Sequence, residues 1–212
     1  MNTFFEEMSL IHVFQKGGMI MWPLLAASIL AQGTVIERII FLLSENRNKD
    51  PQALEKFYAA INNGDIEGAI QISETSHYYI LRVLGYALTH RNTSLAGALL
   101  YAKEQELKRF RAGVSILDTI ITLAPLLGLL GTVTGMMGSF SIIGGELSSP
   151  GAITGGIAEA LIATSFGLGI AITALIPFNL INTKAENARI AIESAATKLK
   201  LILSQRKTLQ RM

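Results

Sequence analysis

Glu159 carries the only charge in the 37 residues from Leu147 to Thr183. A carboxyl in so apolar a stretch costs about 2.5 to 3.5 kcal/mol or more wherever it meets lipid, so it must face another helix or a polar cavity. It shares a four-residue ladder with Gly155, Ala163, Gly167 and Ala171, which gives that helix face small residues on either side of the acid. The default chemistry of such a group is passage of a proton or another ion. The alternative is a structural carboxyl near the outer interface, protonated or bonded to a neighbouring hydroxyl. Hydroxyls accompany it: Thr132, Thr134, Ser139 and Ser141 in the uncharged stretch Thr119 to Gly145, and Thr164, Ser165 and Thr173 beyond Glu159. Taken singly, each of these more often bonds its own helix backbone than lines a path. Several of them beside one carboxylate suggest a wet route.

Other chemistry is poorly provided for. With no cysteine, a disulfide framework, a zinc ribbon, a thiolate enzyme and an iron–sulfur site are excluded. Gly167-Leu-Gly169 is half a dinucleotide fingerprint inside an apolar run, and no Walker loop, His-Glu-x-x-His or Gly-x-Ser-x-Gly occurs. His12, His77 and His90 make no ligand spacing. The sequence predicts no enzyme, no cofactor and no metal site.

The elements that must position Glu159 follow from composition. Of 212 residues 50% are apolar and 16% charged, with a mean hydropathy of +0.42, where soluble domains are nearer 25% charged. The partner is therefore the lipid bilayer. A net charge of +2 with no basic, aromatic-studded face disfavours nucleic acid. A bilayer core takes about 20 apolar residues as a helix, and three runs qualify. They predict an all-α polytopic fold with transmembrane helices over 17–43, 116–143 and 152–182. An amphipathic surface helix is expected over 1–16, where Glu6 and Glu7 precede Lys16 and argue against a cleavable signal. A hairpin of turn residues spans 144–151. The polar segment 44–115 reads as three or four helices broken at Asp50-Pro51 and at Asn62-Asn63-Gly64-Asp65. Its last helix, from about Ser94 to Arg111, runs into the second span with no obvious breaker. A further helix fills 183–212. Spans two and three are expected to continue into water, since Ala152 to Thr183 would be close to 48 Å long at about 1.5 Å per residue.

Nine Lys and Arg lie in Ser44 to Arg111 and seven in Lys184 to Met212, against one before the first span and none in the hairpin. Basic loops stay cytoplasmic, which puts the N-terminus outside and the C-terminus inside. Glu37 and Arg38 read as an interfacial anchor, with Arg38 snorkelling to the headgroups. Pro23, Pro125 and Pro177 each interrupt a span and predict kinks. Gly128, Gly131, Gly135 and Gly138 fall on one helix face, and together with Gly155, Ala163 and Gly167 they predict close helix packing or an oligomer interface.

Leu123-Ala-Pro-Leu-Leu-Gly-Leu-Leu-Gly-Thr-Val-Thr-Gly135 and Gly156-Ile-Ala-Glu-Ala-Leu-Ile-Ala-Thr164, in this span order, resemble the MotA/TolQ/ExbB proton-channel family, most closely its ExbB/TolQ branch. The resemblance implies that Glu159 is the channel carboxylate, with Thr132 and Thr164 as its membrane threonines. It implies a cyclic homo-oligomer, a pentamer, in the bacterial inner membrane. Enclosed in it would be ExbD/TolR-like single-span subunits, each bringing an aspartate, and a TonB-like or TolA-like protein would carry the work outward. Proton-motive force would drive it, with sodium the alternative ion and a non-conducting scaffold the alternative role. One departure is Thr173, where the branch commonly has proline; here the proline comes a turn later, at Pro177.

Overall fold

A computed structural model describes residues 14, 17–143 and 150–209. The surface helix expected over 1–16 and the hairpin over 144–151 fall largely outside the described residues. Among those described there is no strand, and seven helices follow in order. They are α1 (Met21–Arg47), α2 (Pro51–Asn63), α3 (Ile66–Thr75), α4 (Tyr79–Thr89), α5 (Arg91–Phe110), α6 (Val114–Ile143) and α7 (Pro150–Leu209). α1, α6 and α7 are each long and apolar enough to cross a membrane. The fold is all-α, and the position expected to divide the third span from a C-terminal helix, residue 183, lies inside continuous α7.

The chain divides into two compact units. The first comprises residues 1–36 and 113–179. Its buried side chains are small or recur at helical spacing: Met21, Leu24, Ala27 and Ala31 on α1, Leu117, Ile120 and Ala124 on α6, and Ala160, Ala163, Ala171 and Ala174 on α7. Large apolar side chains such as Ile29, Leu129, Met137, Leu161 and Ile172 are exposed. That is the inverse of a soluble domain, because lipid removes the hydrophobic drive between helices and leaves close packing of small residues to hold them. The first span starts later than expected, at Met21, because residues 17–20 form a turn with Gly18 at φ +72°. Pro23 is consequently the third residue of α1, where a missing N–H costs nothing, and not an interruption of the span. Pro125 and Pro177 do lie inside α6 and α7.

The second unit comprises residues 37–112 and 180–212. Asp50 caps α2, its side chain accepting from the Ala53 N–H at 2.9 Å, with Pro51 in the first turn. Gly64 closes α2 and Asp65 opens α3 by accepting from the Gly68 N–H at 2.8 Å. Ser94 breaks the first turn of α5 and accepts from the Gly97 N–H at 3.1 Å, so the regular part of that helix starts where the sequence places it. α5 does not run on into α6: the chain turns through Arg111–Gly113, with Gly113 at φ +74°. This corrects the expectation of an unbroken helix, since a left-handed residue after a basic last turn, here Lys108 and Arg109, is a helix stop.

Ala185, Ala188, Ile192, Ala195, Leu199 and Ile202 of α7 are buried at alternating steps of three and four, a heptad seam. They join Phe57, Ile61, Leu81, Leu84, Leu88 and Phe110 in one core. Hydrogen bonds fix the register: the Tyr58 hydroxyl donates to the Ala195 carbonyl at 3.0 Å, and Arg206 Nη1 donates to the Ile61 carbonyl at 3.1 Å, at the end of α2.

Arg38 is 6% exposed and does not snorkel. It pairs with Glu37, donates to the Arg109 carbonyl at 2.9 Å and lies 4.8 Å from the Phe41 ring centroid. Beside it Glu45 and Glu106, 6% and 8% exposed, share Arg82: its Nη2 is 3.1 Å from Glu45 Oε1 and its Nε 3.0 Å from Glu106 Oε1. Arg109 Nη1 adds a 3.0 Å contact to Glu106 Oε2. These carboxylates tolerate burial because each is paired.

Removing Arg82 while keeping its bulk, as Arg82→Met, should therefore destabilise this unit by about 3 kcal/mol, read by thermal or chemical unfolding of detergent-solubilised protein. Burial, then the neighbouring Tyr78 phenol, pushes the Tyr58 hydroxyl up to about 12; the same causes and the Glu45 carboxylate do so for Tyr79. Their unfolded value is about 10, so the fold favours the neutral phenols. That stability is complete below about pH 10 and is lost as pH rises toward 12. Tyr58→Phe should lower the melting temperature at pH 7, through its missing bond to Ala195, yet flatten the alkaline decline.

Candidate functional site

α6 and α7 lie antiparallel within the first unit, and their glycines set the spacing. A Cβ at Gly128 would sit 2.9 Å from Thr164 Cα and 3.0 Å from the Ala163 carbonyl oxygen. At Gly131 it would meet Ala163 Cβ at 2.5 Å, at Gly135 the Gly156 carbonyl at 3.0 Å, and at Gly167 it would overlap the Ala124 carbonyl. At Gly128, Gly135 and Gly167 the neighbour met first is backbone, and at Gly131 it is the Ala163 methyl; only an absent side chain permits so close an approach. At Gly138 and Gly155 a Cβ would meet nothing within 4 Å among the described residues. The seam within the chain thus uses Gly128, Gly131, Gly135, Ala163 and Gly167.

Thr164 ties the two helices. Its hydroxyl donates to the Gly128 carbonyl of α6 at 3.0 Å and to its own Ala160 carbonyl at 3.2 Å. Thr132 donates to Leu129 of its own helix at 2.7 Å, one residue beyond Gly131 on the seam. Ser139, Thr134, Ser165 and Thr173 likewise donate to carbonyls of their own helices. Every one of these hydroxyl protons is directed at the backbone, so each oxygen is left to act as an acceptor. Ser139 is also buried, and its Oγ fills the space a side chain at Gly156 would need. Gly156, which opens the second of the two motifs, is not among the residues expected to pack, although its place beside Gly155 is a signal for it.

Glu159 is half-buried on α7, one residue before buried Ala160. Its carboxyl lies against the backbone of Gly18, in the turn that enters α1: a Cβ there would overlap Oε1 and lie 2.8 Å from the carboxyl carbon. Among the described residues it makes no hydrogen bond or ion pair, and none joins it to Thr132 or Thr164. The other charge among the described residues of this unit is Asp118, exposed near the start of α6. The seam pairs Ala124 with Gly167 and Gly135 with Gly156, so Asp118 lies at the level of residues 173–177 of α7. That is roughly 21 to 27 Å from Glu159 along the helix, far outside direct proton transfer. A relay through Glu159 needs its second titratable group from elsewhere.

The MotA/TolQ/ExbB proton channel family matches residues 74–194. A Synechocystis sp. protein named ExbB-like 1 is 36% identical over 201 residues, covering 91% of this chain and 78% of its own length. The Xanthomonas campestris biopolymer transport protein ExbB is 42% identical over 83 residues, 39% of this chain and 33% of its own. The Pseudomonas aeruginosa Tol-Pal system protein TolQ is 37% identical over 93 residues, 43% of this chain and 40% of its own.

Gly128→Ala should destabilise the α6–α7 pair by about 1 to 3 kcal/mol, because the atoms its Cβ meets are backbone and cannot swing away. Gly169→Ala, where a Cβ meets nothing within 4 Å, should stay within about 0.5 kcal/mol, and Thr164→Val should cost about 0.6 kcal/mol and at most about 1.7. Unfolding titrations in mixed detergent micelles measure all three.

Proposed function

Because the chain belongs to the MotA/TolQ/ExbB proton channel family, we propose that it is the proton-conducting subunit of an ExbB–ExbD- or TolQ–TolR-like motor in the bacterial inner membrane. It is a membrane transport protein and not an enzyme. Glu159 carries the reading: a half-buried carboxyl on a membrane-crossing helix, unpaired among the described residues and far from Asp118, the other acid among the described residues of its unit. A proton entering the path protonates Glu159 and leaves it to an aspartate of a single-span ExbD/TolR-like partner. Thr132 and Thr164, whose oxygens remain open as acceptors, hold water along the way. Copies of the chain form a closed ring, a pentamer, around that partner. The exposed apolar faces and Gly155, where a Cβ would meet nothing within 4 Å among the described residues, support contact between copies. The basic segments 44–111 and 184–212 support a cytoplasmic C-terminus and a periplasmic N-terminus. Conduction down the proton-motive force turns the ring against its partner, and a TonB-like or TolA-like protein carries the work onward.

The test is proton flux into liposomes holding the complex with its single-span partner under an imposed potential. Glu159→Gln should lower flux at least tenfold while the oligomer stays intact. Unchanged flux would remove Glu159 from the path. No flux from either protein, with assembly intact, would favour a scaffold; flux that appears only with sodium would make that the coupling ion.

A further inference from the structure

We propose that Gly18 is a positioning residue for Glu159: the turn entering α1 holds the carboxyl in the space that any side chain at position 18 would fill. The inference rests on the proposed reading only for what the carboxyl does, not for where it is. Two observations carry it. First, Gly18 is at φ +72°, a left-handed conformation that side chains other than Asn and Asp rarely adopt. Second, the Glu159 side chain lies along the face of Gly18 where a Cβ would project: that Cβ would overlap Oε1, lie 2.8 Å from the carboxyl carbon and 3.4 Å from Cγ.

The turn itself is held. The Gly17 N–H bonds the Phe14 carbonyl at 3.2 Å, and the Met21 N–H bonds that of Gly18 at 3.2 Å. A Cβ at Gly17 would meet Met21 Cγ at 2.5 Å and Ile162 Cγ2 of α7 at 3.2 Å, and one at Gly131 of α6 would lie 3.7 Å from Ile20 Cγ2. Residues 17–20 therefore sit against both α6 and α7. When a Cβ is added at position 18, the mobile part is the end of the Glu159 side chain, which must swing to another rotamer. Gly18 thereby selects which rotamer the carboxyl occupies and screens one side of it from water. Residue 18 is set by the need for an absent side chain as well as by its backbone.

The full-length protein in lipid vesicles, treated with a hydrophobic carbodiimide, tests this without needing the ion or the partner. Mass spectrometry gives the rate of modification at Glu159 as a function of pH. Asp118, the remaining charge among the described residues of the unit, is too far away to move the profile. Gly18→Ala and Gly18→Asn should each change the rate at least fivefold. Asn accepts the left-handed backbone, so agreement between the two assigns the effect to the Cβ. Gly33→Ala, in α1 with nothing within 4 Å, should match wild type. On a Glu159→Asp background, whose shorter side chain withdraws from Gly18, the effect of Gly18→Ala should shrink. Wild-type profiles in both Gly18 variants would overturn the proposal. So would a loss of folding in Gly18→Ala that neither Asn at position 18 nor Glu159→Asp relieves. A shifted profile in a protein whose proton flux ignores Glu159→Gln would leave the positioning role standing and remove the channel reading.

Discussion

In the first unit everything depends on how closely α6 and α7 approach. Lipid offers no reward for hiding one leucine behind another, so the helices are held by dispersion across a narrow gap and by a few interhelical hydrogen bonds. Gly128, Gly131, Gly135 and Gly167 narrow that gap to near backbone contact. Only at that distance can the Thr164 hydroxyl span from its own helix to the Gly128 carbonyl. The same register carries Glu159 to the level where the glycine turn before α1 meets α7, and leaves Asp118 several helical turns away.

The second unit solves a different problem with different residues. Its core of Phe57, Leu81, Leu84, Ile192 and Leu199 is that of a soluble helical domain, large side chains inside. Into it are set two carboxylates, Glu45 and Glu106, and Arg82 and Arg109 reach both. Arg38 extends the group through the Arg109 carbonyl. Buried ion pairs of this kind add little net stability over an apolar replacement, yet they are costly to half-remove. They link the end of α1 to α4 and α5, where a purely apolar contact would tolerate sliding.

Much of the local architecture is legible in the chain. Asp50-Pro51 and Gly64-Asp65 mark helix ends because capping is a short-range interaction between neighbours three residues apart. Glu159 is conspicuous because its surroundings in sequence are apolar. Where the reading fails, the missing information is long-range. Arg38 looks like a headgroup anchor until the Arg109 carbonyl, 71 residues on, is brought beside it. Gly113 is a helix stop that apolar periodicity passes over, since one left-handed residue leaves no trace in hydrophobicity. Pro23 interrupts the first span only if the helix begins at residue 17; the turn at Gly18 moves it into the first helical turn.

The sequence by itself determines that the chain is helical and crosses a membrane, and that Glu159 lies alone within a crossing helix. Bilayer thickness and helical pitch turn runs of residue types directly into spans. It also marks the glycine faces, since their spacing is that of one helix. Which glycines face a helix of the same chain, and what lies against the carboxyl, only the tertiary structure decides. Gly18 and Glu159 are 141 positions apart, and no periodicity connects them. They meet because the α6–α7 register and the turn before α1 together bring a missing side chain to the place where the carboxyl lies.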